Sequence, residues 1–416
     1  MKSKLISASV NHISTLKLSA KKTRKQWSPC ALALAIVLRL TAVSTSAQAQ
    51  TLVVLHSFMG GKDGGSPPAG VILDAEGNLY GTTYSGGKLG CGIGLGCGTV
   101  FKLDASGKET ILHNFTGLPD GNIPEAGLIR DAAGNLYGTT YAGGARDGGT
   151  VFKVEPTGKE VVLYSFTGPP DGMGPVASLV GDAQGNLYGT TYYGGNGACG
   201  YIRGCGTVFK LDPSGKETVL HAFISPDGGY YPAAGLIRDA AGNLYGTTYS
   251  GGANGFGTVF KLDSTGHLTV LHPFTGGADG GYPLGGLILS GNLLFGASGV
   301  GGASGYGTVF KMDKTGNETV LYSFTGGADG RYPLTGLVHD SAGNFYGTTE
   351  QGGAFHYGAV FEVDSEGRET VLHSFTYGAD GAFPVAGVVL DAAGNLYGTT
   401  NNGGTNGEGT VFKIVP

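Results

Sequence analysis

Along most of the chain, apolar residues fall in short runs cut at close intervals by Gly, Asn, Asp and Pro. Residues 233–274 show the order. AAGLIRD reads as a short strand, DAAGN as a tight turn whose Gly supplies a positive φ, and NLYGTTY as a second strand. SGGANGFG is a glycine loop, GTVFKLD a third strand, DSTGH another turn and LTVLHPF a fourth strand, after which TGGADGGYP leads onward. Four short strands split by turn residues predict an antiparallel meander, and nothing beyond residue 50 has helical periodicity.

The unit recurs. L-H/Y-x-F ends at Phe58, Phe115, Phe166, Phe223, Phe274, Phe324 and Phe375, with spacings of 57, 51, 57, 51, 50 and 51. Gly-Asn recurs from Asn78 to Asn395, and a Gly-Gly pair from Gly86-Gly87 to Gly403-Gly404. A four-stranded unit repeated about every fifty residues reads as a propeller blade, with a β-solenoid as the rival. The ends separate the two. TLVVLHSF is a fourth strand alone and GTVFKIVP stops at a third strand, so the halves combine into one blade, whereas a solenoid would carry atypical caps. The expected fold is therefore all-β: a seven-bladed β-propeller of four antiparallel strands per blade over residues 50–416, the last blade closed by the N-terminal strand. Blades are expected near 69–115, 126–166, 177–223, 234–274, 285–324, 336–375, and 386–416 joined by 51–58. Val-Phe of the third strand and Val-Leu with Phe of the fourth are expected to fill the space between blades, and the frequent Gly to let backbones approach closely.

Composition changes the picture at the N-terminus. None of the 81 glycines lies in the first 50 residues, which carry eight Lys and Arg, no acid, an apolar stretch from Cys30 to Val43 broken by Arg39, and then Ala47-Gln48-Ala49. Residues 1–49 read as a signal peptide cleaved near Ala49, whose apolar run is too short and too interrupted to span a bilayer, so a secreted or periplasmic protein without stable membrane insertion is expected. The remainder keeps 18 basic residues against 31 acidic ones, a net charge of −13, which argues against nucleic acid and anionic membranes as partners. Its four cysteines form two C-x5-C pairs in the two long repeats. In an oxidising compartment, Cys91-Cys97 and Cys199-Cys205 are expected as local disulfides; a metal would need further ligands, and no His or Cys flanks either pair.

Through GNLYGTTYSGGANGFGTVFKLD and TVLHSFTGGADG, recurring seven times from about residue 51 to the end, the chain resembles the choice-of-anchor tandem-repeat GloVer family. The resemblance implies an exported protein, often with a C-terminal sorting or anchoring segment. Here the sequence stops at Pro416 directly on a strand, so a free exported protein is expected. The family brings no active-site residues with it. The repeat is also loosely similar to NHL-type propellers, which supports the strand order and little more.

With the fourth strand outermost, the first strand would line the central channel, and the loops from fourth to first and from second to third strand would share one face. Asp63, Asp120, Asp171, Asp227, Asp279, Asp329 and Asp380 recur there, each before Gly. A ring of carboxylates suits Ca²⁺, while Asp-Gly turn chemistry accounts for the same recurrence with no cofactor, and no metal site is assigned. Tyr84, Tyr141, Tyr192, Tyr193 and Tyr249 follow the GTT run, and Tyr230, Tyr231, Tyr282, Tyr332 and Phe383 sit in the Asp-Gly loops. Such rings suit stacking on sugars; loop packing is the blander account. His56, His113, His221, His272 and His373 share one position with Tyr164 and Tyr322. Tyr does not replace a neutral imidazole ligand, so these read as structural.

The fifth repeat, LILSGNLLFGASG, lacks the turn Asp and both threonines and reads as drift. Arg146, Asp147, Arg203, Glu350, His356 and Glu408 are the non-repeated charges an enzyme would draw on, yet no Ser-His-Asp, zinc or phosphate motif is present among them. The leading reading is a monomeric binding or scaffold propeller for an extracellular glycan or protein. A polysaccharide lyase or hydrolase and a structural cell-envelope component are the alternatives.

Overall fold

The structure, a computed structural model, describes residues 50–88, 96–196, 203–224 and 226–416. The expected signal segment, Cys91 and Cys199 lie outside them. Seven four-stranded antiparallel sheets follow one another, each ordered first to fourth strand from the centre outward. Blade 1 comprises Ile72–Leu73, Leu79–Thr83, Thr99–Leu103 and Glu109–Asn114. Blade 7 comprises Val389–Leu390, Leu396–Thr400, Thr410–Val415 and, as its outer strand, Thr51–Ser57, paired antiparallel from Thr51 opposite Val415 to Ser57 opposite Thr410 with a one-residue shift between Val54 and His56. The seven-bladed propeller expected from the repeat is thus present, closed by the N-terminal strand. Among the described residues the one helical segment is a turn at Pro226–Gly228, and no helix is long and apolar enough to cross a membrane.

The core lies between blades rather than within them. Each of seven buried clusters joins the third and fourth strands of one blade to the next. Val100 and Phe115 of blade 1, for example, pack on Leu128, Leu136, Phe152 and Val154 of blade 2. At every seam the Phe after one outer strand meets the third-strand Phe of the next blade edge to face. Phe115–Phe152, at 5.1 Å, is typical, and the ring-closing pair Phe58–Phe101, at 5.3 Å, has the same geometry. All these rings are essentially fully buried, so truncating one costs roughly 3–5 kcal/mol. The second-strand Gly makes room for them. A Cβ on Gly347 would stand 2.7 Å from Phe361 Cζ and 2.9 Å from Leu337 Cδ2. The buried threonines are satisfied in pairs, such as Thr83 Oγ1 with Thr99 Oγ1 at 2.9 Å. In blade 6 Ala359 stands opposite Thr349, whose hydroxyl has no partner.

The hairpin from first to second strand is held by its Asp. Asp340 accepts from the N–H groups of Ala342 and Asn344, from Asn344 Nδ2 and from Tyr346 Oη, all at 2.9–3.0 Å. Blade 5 replaces both ends of this contact together, with Ser290 for the Asp and Phe295 for the Tyr. The Phe295 ring instead stacks on Phe345 of blade 6 at 4.3 Å.

Candidate functional site: the loop face

Two loop sets form one face, as the strand order implies. The second residue after the GTT run and the loop leading into the same blade are bridged, for instance Gly65 with Ser85 and Tyr230 with Ser250. Beneath this pairing lies a device that the sequence reading missed. The residue before the loop proline has positive φ in every blade: Ser66, Ile123, Gly174, Tyr231, Tyr282, Tyr332 and Phe383 lie at 50–64°. Six of the seven are not glycine, and such strain persists only where surrounding bonds over-determine it. Here the N–H of each donates to the preceding blade and its carbonyl accepts from its own. Tyr231 N–H reaches Cys205 O at 2.9 Å, and Tyr231 O accepts Tyr249 N–H at 3.0 Å. The same double contact runs from Ser66, between Glu408 and Tyr84, round to Phe383, between Tyr357 and Asn401. The signal was an X-Pro step in each repeat, hidden because X varies.

This ring aims side chains at their neighbours. Tyr231 stacks on Tyr192 at 4.8 Å with ring planes 10° apart, and Tyr282 stacks on Tyr249 at 5.0 Å and 25°. Tyr193 stands edge-on to Tyr192 at 4.9 Å, and Arg203 lies 5.7 Å over the Tyr193 ring. Where blade 3 has Gly174, the ring of Tyr141 fills the place of a side chain, 2.9 Å from where a Cβ would sit. Tyr230 lies one residue further back and packs into the seam beside Tyr231. Burial, followed by the neighbouring Tyr193, Tyr249, Tyr231 and Tyr141, pushes the Tyr192 phenol up to about 12, so it stays a neutral hydroxyl. All of these rings are half-buried, each keeping part of its surface toward solvent.

The face is not symmetric. Tyr84, Tyr141, Tyr192 and Tyr249 occupy the position after GTT in blades 1 to 4, while Gly299, Glu350 and Asn401 occupy it in blades 5 to 7. Tyr332 and Phe383 therefore lack a Tyr partner there. Arg331 lies 5.5 Å over Tyr332, and Phe383 joins Tyr357 and Tyr377 in a separate cluster at 5.8 and 6.0 Å. At the centre, Pro68, Glu125, Val176, Ala233, Leu284, Leu334 and Val385 ring the channel mouth above a cavity of about 300 Å³. Glu125, which sequence reasoning passed over, is the one ionisable group in that ring, and burial raises its carboxyl above the ordinary range.

The recurring Asp residues do not surround this mouth. Six of the seven loop Asp residues turn back to the outer strand that precedes them. His113, His272 and His373 meet Asp120, Asp279 and Asp380 at 3.2, 3.1 and 3.0 Å, and Tyr164 and Tyr322 donate to Asp171 and Asp329 at 3.0 Å. His56 stands 3.6 Å from Asp63. Asp120, Asp171 and Asp329 also accept both the N–H and the hydroxyl of the Thr four residues earlier. Asp227, in the Pro226–Gly228 turn, is exposed. At six seams the recurring His or Tyr and the Asp are thus two ends of one contact seven residues apart, and these carboxylates lie at the seam rather than the channel mouth.

A second acid joins them from the next blade. Glu109, Glu160, Glu217, Glu318 and Glu369 open the outer strands of blades 1, 2, 3, 5 and 6, whereas blade 4 has Leu268 there. Burial, then the charge of Asp171, Asp279 or Asp329, pushes Glu217, Glu318 and Glu369 up to about 7; Glu109 goes to about 8 by burial and Asp63. The non-repeated charges do not converge. Asp147 accepts Gly143 N–H at 2.8 Å, Glu408 lies over Gly60 and Gly65, Arg146 and His356 are exposed and Glu350 is half-buried. Among the described residues, no hydrogen bond or ion pair joins any two of these.

Fold and face together define a closed repeat propeller with a lopsided aromatic loop face. The Gloeobacter/Verrucomicrobia repeat matches residues 40–202, 92–289 and 200–412, and the chain belongs to that family. No curated protein matches it. Among solved structures, it is similar to the extracellular domain of a B. thetaiotaomicron protein described as a hybrid two-component system (TM-score 0.56, 10% identity, 87% of this chain and 39% of that one). It is also similar to that of one described as a one-component system (0.52, 10%, 88% and 40%). A gluconolactonase of Xanthomonas campestris matches at TM-score 0.43 and 17% identity, over 76% of this chain and 89% of that one. The likeness to the two extracellular domains concerns the fold alone.

Proposed function

We propose that the chain is an exported, monomeric binding module that takes a carbohydrate on the aromatic half of its loop face. The observation that carries this reading is the asymmetry. Blade-building explains a residue present in all seven repeats, but not four tyrosines confined to blades 1 to 4, two of them stacked on αL tyrosines from the next blade. Flat, half-exposed rings match the apolar faces of sugars, while their hydroxyls, Arg203 and Glu125 can bond sugar hydroxyls. Export is in keeping with the N-terminal segment and with Cys91-Cys97 and Cys199-Cys205 as disulfides, a pairing that non-reducing peptide mapping reads directly.

The test is a screen of neutral and acidic oligosaccharides, followed by calorimetry with Tyr192→Ala and Tyr249→Ala and a parallel assay for turnover. Each substitution should weaken binding tenfold or more, as removal of an aromatic anchor does. Failure of every glycan to bind, or unchanged affinity in both variants, would sink the reading. Cleavage of a bound glycan would replace it with the lyase or hydrolase alternative.

A further inference from the structure

The seam at which the N-terminal strand closes the ring differs from the others. Three side chains converge there: His56 of Thr51–Ser57, Asp63 of the following loop and Glu109 of blade 1. His56 Nε2 lies 3.6 Å from Asp63 Oδ2 and 3.7 Å from Glu109 Oε1, and the three side chains are only 17%, 9% and 12% exposed. His56 Nε2, Asp63 Oδ1 and Glu109 Oε1 are all buried without a hydrogen-bond partner. Leaving such groups unpaired is costly, and it is the imidazole that sets this seam apart. His113, His272 and His373 sit at hydrogen-bond distance from their Asp.

The cause is a single residue. Where most seams have a Thr whose hydroxyl donates to the Asp, this one has Met59, which offers only its N–H, at 2.9 Å. Asp63 Oδ2 therefore carries one hydrogen bond, whereas Asp120 Oδ2 accepts the Thr116 N–H and hydroxyl and also meets His113 Nε2. The second His-Asp-Glu set, His113, Asp120 and Glu160, also lies within 4.8 Å and leaves Asp120 Oδ1 and Glu160 Oε1 unpartnered, but its imidazole already meets Asp120 Oδ2 at hydrogen-bond distance.

We propose that His56, Asp63 and Glu109 bind one divalent transition-metal ion of the zinc class, which ties the closing strand to blade 1. Bonds of about 2.0–2.1 Å place the ligand atoms around such an ion roughly 3.3–3.6 Å apart, close to the 3.6 and 3.7 Å from His56 Nε2 to the two carboxylates. An imidazole nitrogen with two carboxylates suits zinc and its neighbours, whereas Ca²⁺ wants six to eight oxygens. Two carboxylates and a neutral imidazole also balance a divalent charge, so the ion discharges a pair of acids that are otherwise buried side by side.

The experiment uses the untagged protein, stripped with chelator and then dialysed against zinc chloride. Wild type should retain one zinc per chain and melt several degrees higher with zinc than without. His56→Gln and Glu109→Gln should each weaken zinc binding by roughly a hundredfold or more and abolish the zinc-dependent shift. The metal-free Glu109→Gln protein should melt no lower than metal-free wild type, which separates loss of a ligand from failure to fold. The cobalt-substituted protein should show no thiolate-to-metal charge-transfer band. The proposal is overturned if wild type takes up no zinc or if Glu109→Gln binds it as well as wild type. Loss of zinc binding in Glu160→Gln instead, or a thiolate band, overturns it equally.

Discussion

Replacing Glu369 by Gln should stabilise the protein at pH 8 and leave it nearly unchanged at pH 5. The folded state holds the Glu369 carboxyl at about 7, against an ordinary 4.5, because burial and Asp329 both oppose its charge; Tyr322, donating to Asp329, is the other titratable neighbour. The sign follows from proton linkage. Below pH 4.5 the group is protonated whether folded or unfolded and costs nothing. As pH rises from 4.5 through 7, the unfolded chain gives up its proton first, so the fold loses stability, and above 7 the loss is complete. A shift of that size corresponds to roughly 3 kcal/mol at most, and since the side chain is half-buried, screening leaves about 1–2 kcal/mol. Gln keeps the shape and cannot ionise. Chemical denaturation at pH 5 and pH 8 should therefore show the variant gaining about 1–2 kcal/mol relative to wild type between the two, a Tm difference of roughly 1–3 °C. If the difference between variant and wild type is the same at both pH values, Glu369 is already ionised in the fold and the reasoning fails. Leu268 in blade 4 shows that this position tolerates the loss of the acid.

Two further outcomes test the packing. Gly347→Ala should destabilise by roughly 1–3 kcal/mol in urea titration, because its Cβ meets Phe361 and Leu337 below contact distance; a change within 0.5 kcal/mol would refute the close-approach argument. Asp340→Ala should cost about 2–3 kcal/mol through the loss of its four hydrogen bonds, and adding Tyr346→Phe should cost little more, since the phenol has by then lost its acceptor. Additive costs in that pair would show that the tyrosine hydroxyl is held by something else.

The blades were legible because a period of about fifty residues, with a half unit at each end, leaves a closed ring as the physical solution; Phe58 meeting Phe101 is that inference in atoms. The aromatic residues of the face were legible too, but not their arrangement. Whether Tyr231 stacks on Tyr192 depends on a positive φ before Pro232, which no propensity suggests for tyrosine. The His and Asp positions were each seen as repeats and their contact was not, because a seven-residue link across a strand end leaves no mark on strand periodicity. Glu125 and the seam glutamates went unnoticed for another reason. A lone acid after Pro, or one opening a strand, looks solvated until the neighbouring blade covers it.

The joint between Thr51–Ser57 and Thr410–Val415 also says something about time. Ser57 Oγ accepts the N–H of Thr405, 348 residues along the chain. The first strand to be made therefore waits, with its pairing edge bare, until the last has been made. Six blades can form locally as they emerge, but the seventh, with its pairing of His56 opposite Val411, comes into being only when the last strand is made. Whatever depends on that pairing reports on a finished ring and is silent about a partial one.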